Sequence, residues 1–511
     1  MISRRSILAG GAALAGHLLL PRASARAAEG DLDFASALTA ARAIRRGDVS
    51  SVELVTRTLE RIKRYNGRLN AIVTLSEDRA LARAKAADEA RARGDWWGPL
   101  HGVPCTVKDT FELAGVHSTA GTQVFANHVP QNDAVVASRL RQAGAVILGK
   151  TNVPPFATDW QSHNEVFGTT NNPWDLRRTP GGSTGGGAAA LAAGLTYLEP
   201  GSDIGGSIRI PAHFCGVCGH KPTVNVVPLR GHIVPPPGRV SGATTLPVAG
   251  PLARAAADLL AALQILGGPD DDEARAYRWT LPPPRGARLA DYRIGYVLDD
   301  PICPVSPDVS DVLARAVEAL RKTGATLIQG WPKDVDPVRQ RDTYLFLLSA
   351  FGAAQLRDDR IEETRKWAET QDGSWEARQA WAWTAPHKVH QAADGYRRGA
   401  LAVWQAFFRS HDAFLLPTAF VPAFVHDHTL MLKRTIATPA GPRPYFDLAT
   451  WISFATLAGL PATTAPVGLT RDGLPVGIQI VGPYLEDATP IDIAGRLADV
   501  VGGFQPPPGY A

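Results

Sequence analysis

Lys108, Ser183 and Ser207 are the residues whose types and spacing point to chemistry. Lys108 ends Val103-Pro-Cys-Thr-Val-Lys108, Ser183 stands in Gly181-Gly-Ser-Thr-Gly-Gly186, and Ser207 stands in Gly201-Ser-Asp-Ile-Gly-Gly-Ser-Ile-Arg209. Ser183 follows the lysine by 75 positions, and Ser207 follows Ser183 by 24. Glycine has no Cβ, so a substrate carbonyl can approach the backbone beside Ser207 closely. Successive N–H groups in such a loop can converge on a developing oxyanion. A buried lysine is one of the few side chains that can be a neutral base near pH 7. The three residues therefore offer a nucleophile, a hydroxyl relay and a base.

Other chemistries carry less of the pattern. Gly144-Ala-Val-Ile-Leu-Gly-Lys-Thr151 fits the phosphate-binding loop expression, but such a loop must be flexible between its glycines, and Ala-Val-Ile-Leu reads as a buried strand. Gly181-Gly-Ser-Thr-Gly185 also fits the nucleophile elbow of α/β-hydrolases, which would make Ser183 the nucleophile with a later Asp and His. His411-Asp412 and His426-Asp427-His428 supply those residue types, yet an exposed polar loop explains them equally well. Cys215 and Cys218 form a Cys-x-x-Cys without a second pair at zinc spacing, in apolar surroundings that read as structural. Asp203 and Arg209 flank Ser207 at i−4 and i+2, where a buried ion pair would hold the loop in shape.

The serine loops do not stand alone. Gly98-Pro-Leu-His-Gly-Val-Pro-Cys-Thr-Val-Lys-Asp109, Gly149-Lys-Thr-Asn152, Phe167-Gly-Thr-Thr-Asn-Asn-Pro-Trp-Asp175, Phe214-Cys-Gly-Val-Cys-Gly-His-Lys-Pro222 and Leu474-Pro-Val-Gly-Ile-Gln-Ile-Val-Gly482 accompany them in order. Together these segments resemble the amidase signature family, over most of the chain outside roughly 271–440. The resemblance implies a metal-free Ser–Ser–Lys mechanism on amides, with no cofactor. Ser207 would form the acyl-ester, Ser183 would follow a cis Gly182–Ser183 bond and bridge, and Lys108 would be the base. The N–H groups of Ile204, Gly205, Gly206 and Ser207 would form the oxyanion hole. Thr184 departs from the second serine common in the family but keeps a hydroxyl.

The implied fold is α/β: a mixed twisted sheet sandwiched between helices, with a variable helical insertion at about 271–440. Helical spacing covers 33–93, where Ser50-x-x-Glu53 reads as a capping box before Val52, Val55, Leu59 and Ile62. Strand-like runs lie at Val103–Val107, Ala145–Leu148 and Gly477–Val481, residues 181–196 pass from glycine loop into an Ala-rich helix (Ala188–Ala193), and 254–266 reads as a helix. Segments of this insertion return to the core sheet: 308–322 and 355–368 read as helices and Ala413–Leu416 as a core strand. Five tryptophans (Trp367, Trp375, Trp381, Trp383, Trp404) lie there. They read as insertion core first and as an aromatic pocket second.

Residues 1–27 read as a removable twin-arginine signal: Ser3-Arg-Arg-Ser-Ile-Leu8, an apolar run through Leu20, then Ala23-Ser-Ala25 and Ala25-Arg-Ala27 as small-residue cleavage sites. About 14 apolar residues fall short of the roughly 20 a membrane span needs. Removal takes Arg4, Arg5, Arg22 and Arg26 with no acidic residue, so the formal charge drops from +4 to about zero. A mature chain without a basic surplus gives no electrostatic support for nucleic-acid binding. The expectation is a periplasmic or secreted enzyme on a small-molecule amide, not stably membrane-bound once cleaved. Whether it forms a homodimer, and whether its natural bond is an amide or an ester, stay open. The rival readings are a glutamine amidotransferase-type subunit serving aminoacyl-tRNA, and a non-catalytic periplasmic binding protein on the same scaffold.

Overall fold

The computed structural model describes residues 32–233, 244–370 and 372–510. The segment read as an export signal lies outside the described residues.

Two sheets organise the chain. Three strands, β1 (Ile72–Leu75), β2 (Pro104–Lys108) and β3 (Val146–Thr151), form a small sheet in the order β1-β3-β2. The larger sheet uses β4 (Glu199–Asp203), β5 (Cys218–Lys221), β6 (Val248–Ala253), β7 (Arg293–Tyr296), β8 (Thr326–Gln329), β9 (Ala413–Pro417), β10 (Ala462–Leu469) and β11 (Pro475–Val481). Its order is β8-β7-β9-β11-β10-β5-β6-β4, parallel from β8 to β9 and antiparallel from there on. Backbone bonds from Thr106 N–H to Leu198 O (3.2 Å) and Tyr197 N–H to Pro104 O (3.3 Å) carry the small sheet onto the β4 edge of the large one. This junction sets Lys108, at the end of β2, beside the end of β4, where the Ser207 loop begins.

Local sequence explains the elements around the junction. In β3 every residue from Val146 to Thr151 is buried, as expected of a strand covered on both faces. The phosphate-loop pattern is thus ladder, with Lys150 paired to Asp109 at 3.3 Å rather than open to a ligand. Helix Gly185–Ala192 is buried at every position because only glycine, alanine and one leucine occupy it, which lets neighbours approach its backbone on all sides. Helix Leu448–Leu457 is likewise wholly buried, and is apolar nearly all round. The Ser50–Glu53 capping box is present with both of its hydrogen bonds.

One expectation needs adjusting. Residues 33–93 are not helical throughout: β1 intervenes, because Asn70 takes a left-handed conformation and Asn66 Oδ1 accepts the N–H groups of Ala71 and Ile72 at 2.9 Å each. Between 271 and 440, β7 and β8 join β9 in the main sheet, linked by helix Pro307–Lys322. The second helix expected there forms over Ile361–Glu369. The tryptophans divide: Trp404 is fully buried with its indole N–H on Gln340 Oε1 (3.0 Å), whereas Trp367 and Trp381 are 53% and 45% exposed. Among the described residues no helix is long and apolar enough to cross a membrane.

Candidate active site

Lys108 is completely buried, and its Nζ lies 2.6 Å from Ser183 Oγ, 2.9 Å from Ser202 Oγ and 3.4 Å from Ser202 O. Loss of hydration brings its pKa down to about 7, against the upward pull of the Asp203 and Glu199 carboxylates. An ordinary surface lysine is thereby ruled out by position. Ser202, one residue before Asp203, carries no signal in the sequence, where it reads as one more small loop residue. Tertiary packing finds it, because β4 lies beside β2 and brings its hydroxyl to the lysine. His232 Nε2 lies 3.0 Å from the same hydroxyl.

Behind these residues sits Glu199, also fully buried and equally silent in the sequence. Its carboxylate accepts from Thr106 Oγ1 at 2.6 Å and Thr151 Oγ1 at 2.5 Å, so three strands meet on one side chain. Burial pushes its pKa up to about 7, partly offset by those hydroxyls and by Lys108. A glutamate in Leu198-Glu-Pro200 does not announce this role, since the partners arrive from distant strands.

The Ser183 loop is held at both shoulders by Ser162, whose hydroxyl donates to Gly181 O and accepts from Gly185 N–H, each at 3.1 Å. The Gly182–Ser183 peptide bond is cis, as the resemblance implies. Thr184 N–H donates to Ser207 O at 3.1 Å, tying the two serine loops together. The Thr184 hydroxyl itself is buried and has no hydrogen-bond partner among the described residues.

Ser207 keeps 6% exposure while Ser183 keeps 1%, so the outer serine is the more accessible of the two. Its loop is built around Asp203. That buried carboxylate accepts from Gly206 N–H (3.0 Å), Ile208 N–H (3.1 Å) and the Arg209 guanidinium (2.7 and 3.0 Å). Arg209 continues to Ile452 O, Gln479 Oε1 and Thr456 Oγ1, so the expected structural pair is present and anchored in the core. One expectation is corrected here: a buried carboxylate must collect donors, and Asp203 takes the Gly206 N–H that the resemblance assigns to the oxyanion. The N–H groups of Ile204, Gly205 and Ser207 have no acceptor among the described residues and stay available.

The alternative sites do not assemble. Ser183 Oγ has Lys108 as its partner rather than a histidine. His411 stacks on Phe407 at 4.1 Å, and His428 stacks on His163 at 3.8 Å. Cys215 and Cys218 are buried free thiols facing different carbonyls, Pro180 O and Arg254 O, and burial pushes both thiols up. Among the described residues no group of three or more His, Cys, Asp or Glu side chains is placed to hold a metal ion.

With this geometry in view, similarity to known proteins is informative. The Amidase family model matches residues 53–490. A subunit of the glutamyl-tRNA(Gln) amidotransferase of Anaeromyxobacter dehalogenans (strain 2CP-C) is 34% identical over 483 residues, covering 90% of this chain and 95% of that protein. An indoleacetamide hydrolase of Bradyrhizobium diazoefficiens is 32% identical over 470 residues, covering 91% and 86%. The crystal structure of a bacterial aryl acylamidase of the amidase signature family superposes with a TM-score of 0.75 at 24% identity, covering 91% of this chain and 96% of that one. At that identity the superposition speaks for the fold.

Proposed function

Because this chain belongs to the amidase signature family, we propose that it is an amidohydrolase that cleaves linear carbon–nitrogen amide bonds through an acyl-enzyme on Ser207. The observation that carries this reading is the fully buried Lys108, 2.6 Å from Ser183 Oγ, whose loss of hydration brings its pKa down to about 7. Ser207 Oγ attacks the carbonyl carbon while its proton passes through Ser183 Oγ to Lys108 Nζ. The N–H groups left free around Ser207 take the oxyanion. The lysine then returns the proton through Ser183 to the departing amine nitrogen as the C–N bond breaks. Water repeats the sequence on the ester, releasing the acid and restoring Ser207. No step needs a metal or cofactor.

The test is labelling of the mature protein with a fluorophosphonate, alongside turnover of aryl, aliphatic and peptide amides. One label per chain on Ser207 is expected, and Ser207→Ala should remove both label and turnover, a loss of several orders of magnitude. Label that persists in Ser207→Ala, or that sits on Ser183, overturns the assignment in favour of an elbow-type hydrolase.

A second reading is supported by the 34% identity to a subunit of an amidotransferase. It would have the same triad release ammonia from glutamine for a partner-bound acceptor. The twin-arginine segment argues for the hydrolase, since work on aminoacyl-tRNA belongs where tRNA is. On that reading the enzyme acts in the periplasm on a small-molecule amide.

A further inference from the structure

Resting on the reading of Ser207 as the acylated serine, we infer that Tyr344 is a positioning residue that fixes the oxyanion-binding Gly205 peptide plane from behind, with Trp160 holding the adjoining plane of the loop. A peptide unit is planar, so a hydrogen bond at its carbonyl sets where the N–H on its other side points. Three successive planes of the Ser207 loop are held in this way. The Ile204–Gly205 carbonyl accepts from Tyr344 Oη at 2.8 Å, and this plane carries the free Gly205 N–H. The Gly205–Gly206 carbonyl accepts from Trp160 Nε1 at 2.6 Å, and this plane carries the N–H given to Asp203. The Gly206–Ser207 carbonyl accepts from Ile210 N–H at 2.7 Å, and this plane carries the free Ser207 N–H.

The two side-chain clamps come from outside the loop. Tyr344 is fully buried in helix Pro337–Phe351, within the region that reads as an insertion. Burial pushes its phenol pKa up, so it stays a donor throughout the working range. Trp160 is wedged by Tyr445 and Phe446, with ring centroids at 5.3 and 5.4 Å. Both flank Gly205: a Cβ built there would stand 3.8 Å from the Trp160 ring and 3.9 Å from Tyr344 Oη. A donor on a carbonyl also polarises the N–H of the same unit. The Tyr344 clamp thus orients Gly205 N–H and strengthens it without touching substrate, which is preorganisation of the kind that stabilises developing charge, while Trp160 fixes the next plane, whose N–H anchors the loop on Asp203.

Tyr344→Phe and Trp160→Phe remove the donors and keep aromatic rings in place. Each variant and the unaltered enzyme are compared in hydrolysis of 4-nitrophenyl acetate, and in inhibition by phenylboronic acid, which forms a tetrahedral adduct on the reactive serine. In Tyr344→Phe kcat should fall roughly 10- to 100-fold, less than the 100- to 1,000-fold for loss of an oxyanion donor outright, and Trp160→Phe, whose plane carries no free N–H, should fall less. KM should hold within about twofold, and boronate affinity should fall in step with kcat/KM. A Tyr344→Phe variant whose kcat and boronate affinity both stay within about twofold of the unaltered enzyme overturns the inference. So does a rise in KM at constant kcat in Tyr344→Phe, which would make Tyr344 a substrate contact. Failure of the unaltered enzyme to take a fluorophosphonate on Ser207 strikes the underlying reading itself, so the two failures are told apart.

Discussion

Lys108 has to accept a proton, and a lysine held in water stays an ammonium until about pH 10.4. Complete burial against two serine hydroxyls brings it to about 7, so the neutral base gains population as pH climbs through that value. Turnover should therefore rise between about pH 6 and 8 and level off above. Lys108→Arg should lose both the rate and the limb, because a guanidinium remains protonated and cannot act as a base. The check is a pH–rate profile of the two proteins on one small amide. Near-native rates in the arginine variant would make Lys108 a positioning charge and remove it from the relay. Glu199 shares this window, since its carboxyl is pushed up to about 7 in the same buried cluster. The limb thus reports a coupled group of residues, with Lys108 as its base.

At the scale of elements, the site is the place where two strand ends and two glycine loops meet. Lys108 closes β2, Ser202 and Asp203 close β4, and Ser162 braces the Ser183 loop. The Asp203–Arg209 pair, unexposed on both sides, is the member whose loss should be felt most. Arg209→Met would strand the carboxylate in the core, and breaking a buried pair from one side costs about 3–5 kcal/mol. Replacing both partners with apolar residues should recover much of that stability while leaving Gly206 and Ile208 N–H without their acceptor. Guanidinium unfolding of the single and double variants decides it. A single-variant loss below about 1 kcal/mol would mean that Asp203 is already satisfied by backbone donors alone.

For the whole molecule, the large sheet links β4, β5 and β6, all before 260, to β7, β8 and β9 from beyond 290 through β10 and β11 between them. The region that reads as a variable insertion therefore carries part of the scaffold, and through Tyr344 it reaches back to the Ser207 loop. Export is a property at this scale. The twin-arginine pattern and the small-residue cleavage sites before Ala28 predict a mature protein beginning near that residue and found in the periplasm. Replacing Arg4 and Arg5 with lysines should hold the protein in the cytosol as full-length chain. Amino-terminal sequencing and fractionation read the outcome, and native periplasmic protein that still begins at Met1 would show that the segment is an uncleaved anchor.

Local sequence determines a large part of this protein. Glycine runs around two serines declare loops where backbone N–H groups lie bare, because no side chain covers them. An apolar run before Lys108 declares a buried lysine, and Ser50-x-x-Glu53 declares a helix start, because a cap is settled within four residues. The break at Asn70 is equally local, written in two asparagines, though the helical spacing on either side masks it. What tertiary structure alone decides is which distant groups share a space. Ser202 meets Lys108 because β4 lies beside β2, and Glu199 becomes a hub because Thr106 and Thr151 arrive from two other strands. Gly206 looks identical to Gly205 in sequence, yet Asp203 claims the N–H of one and leaves the other free. Tyr344 lies 140 positions from the carbonyl it holds. Hydrogen bonds over such separations depend on how sheets and helices stack, and no short window of residues encodes that.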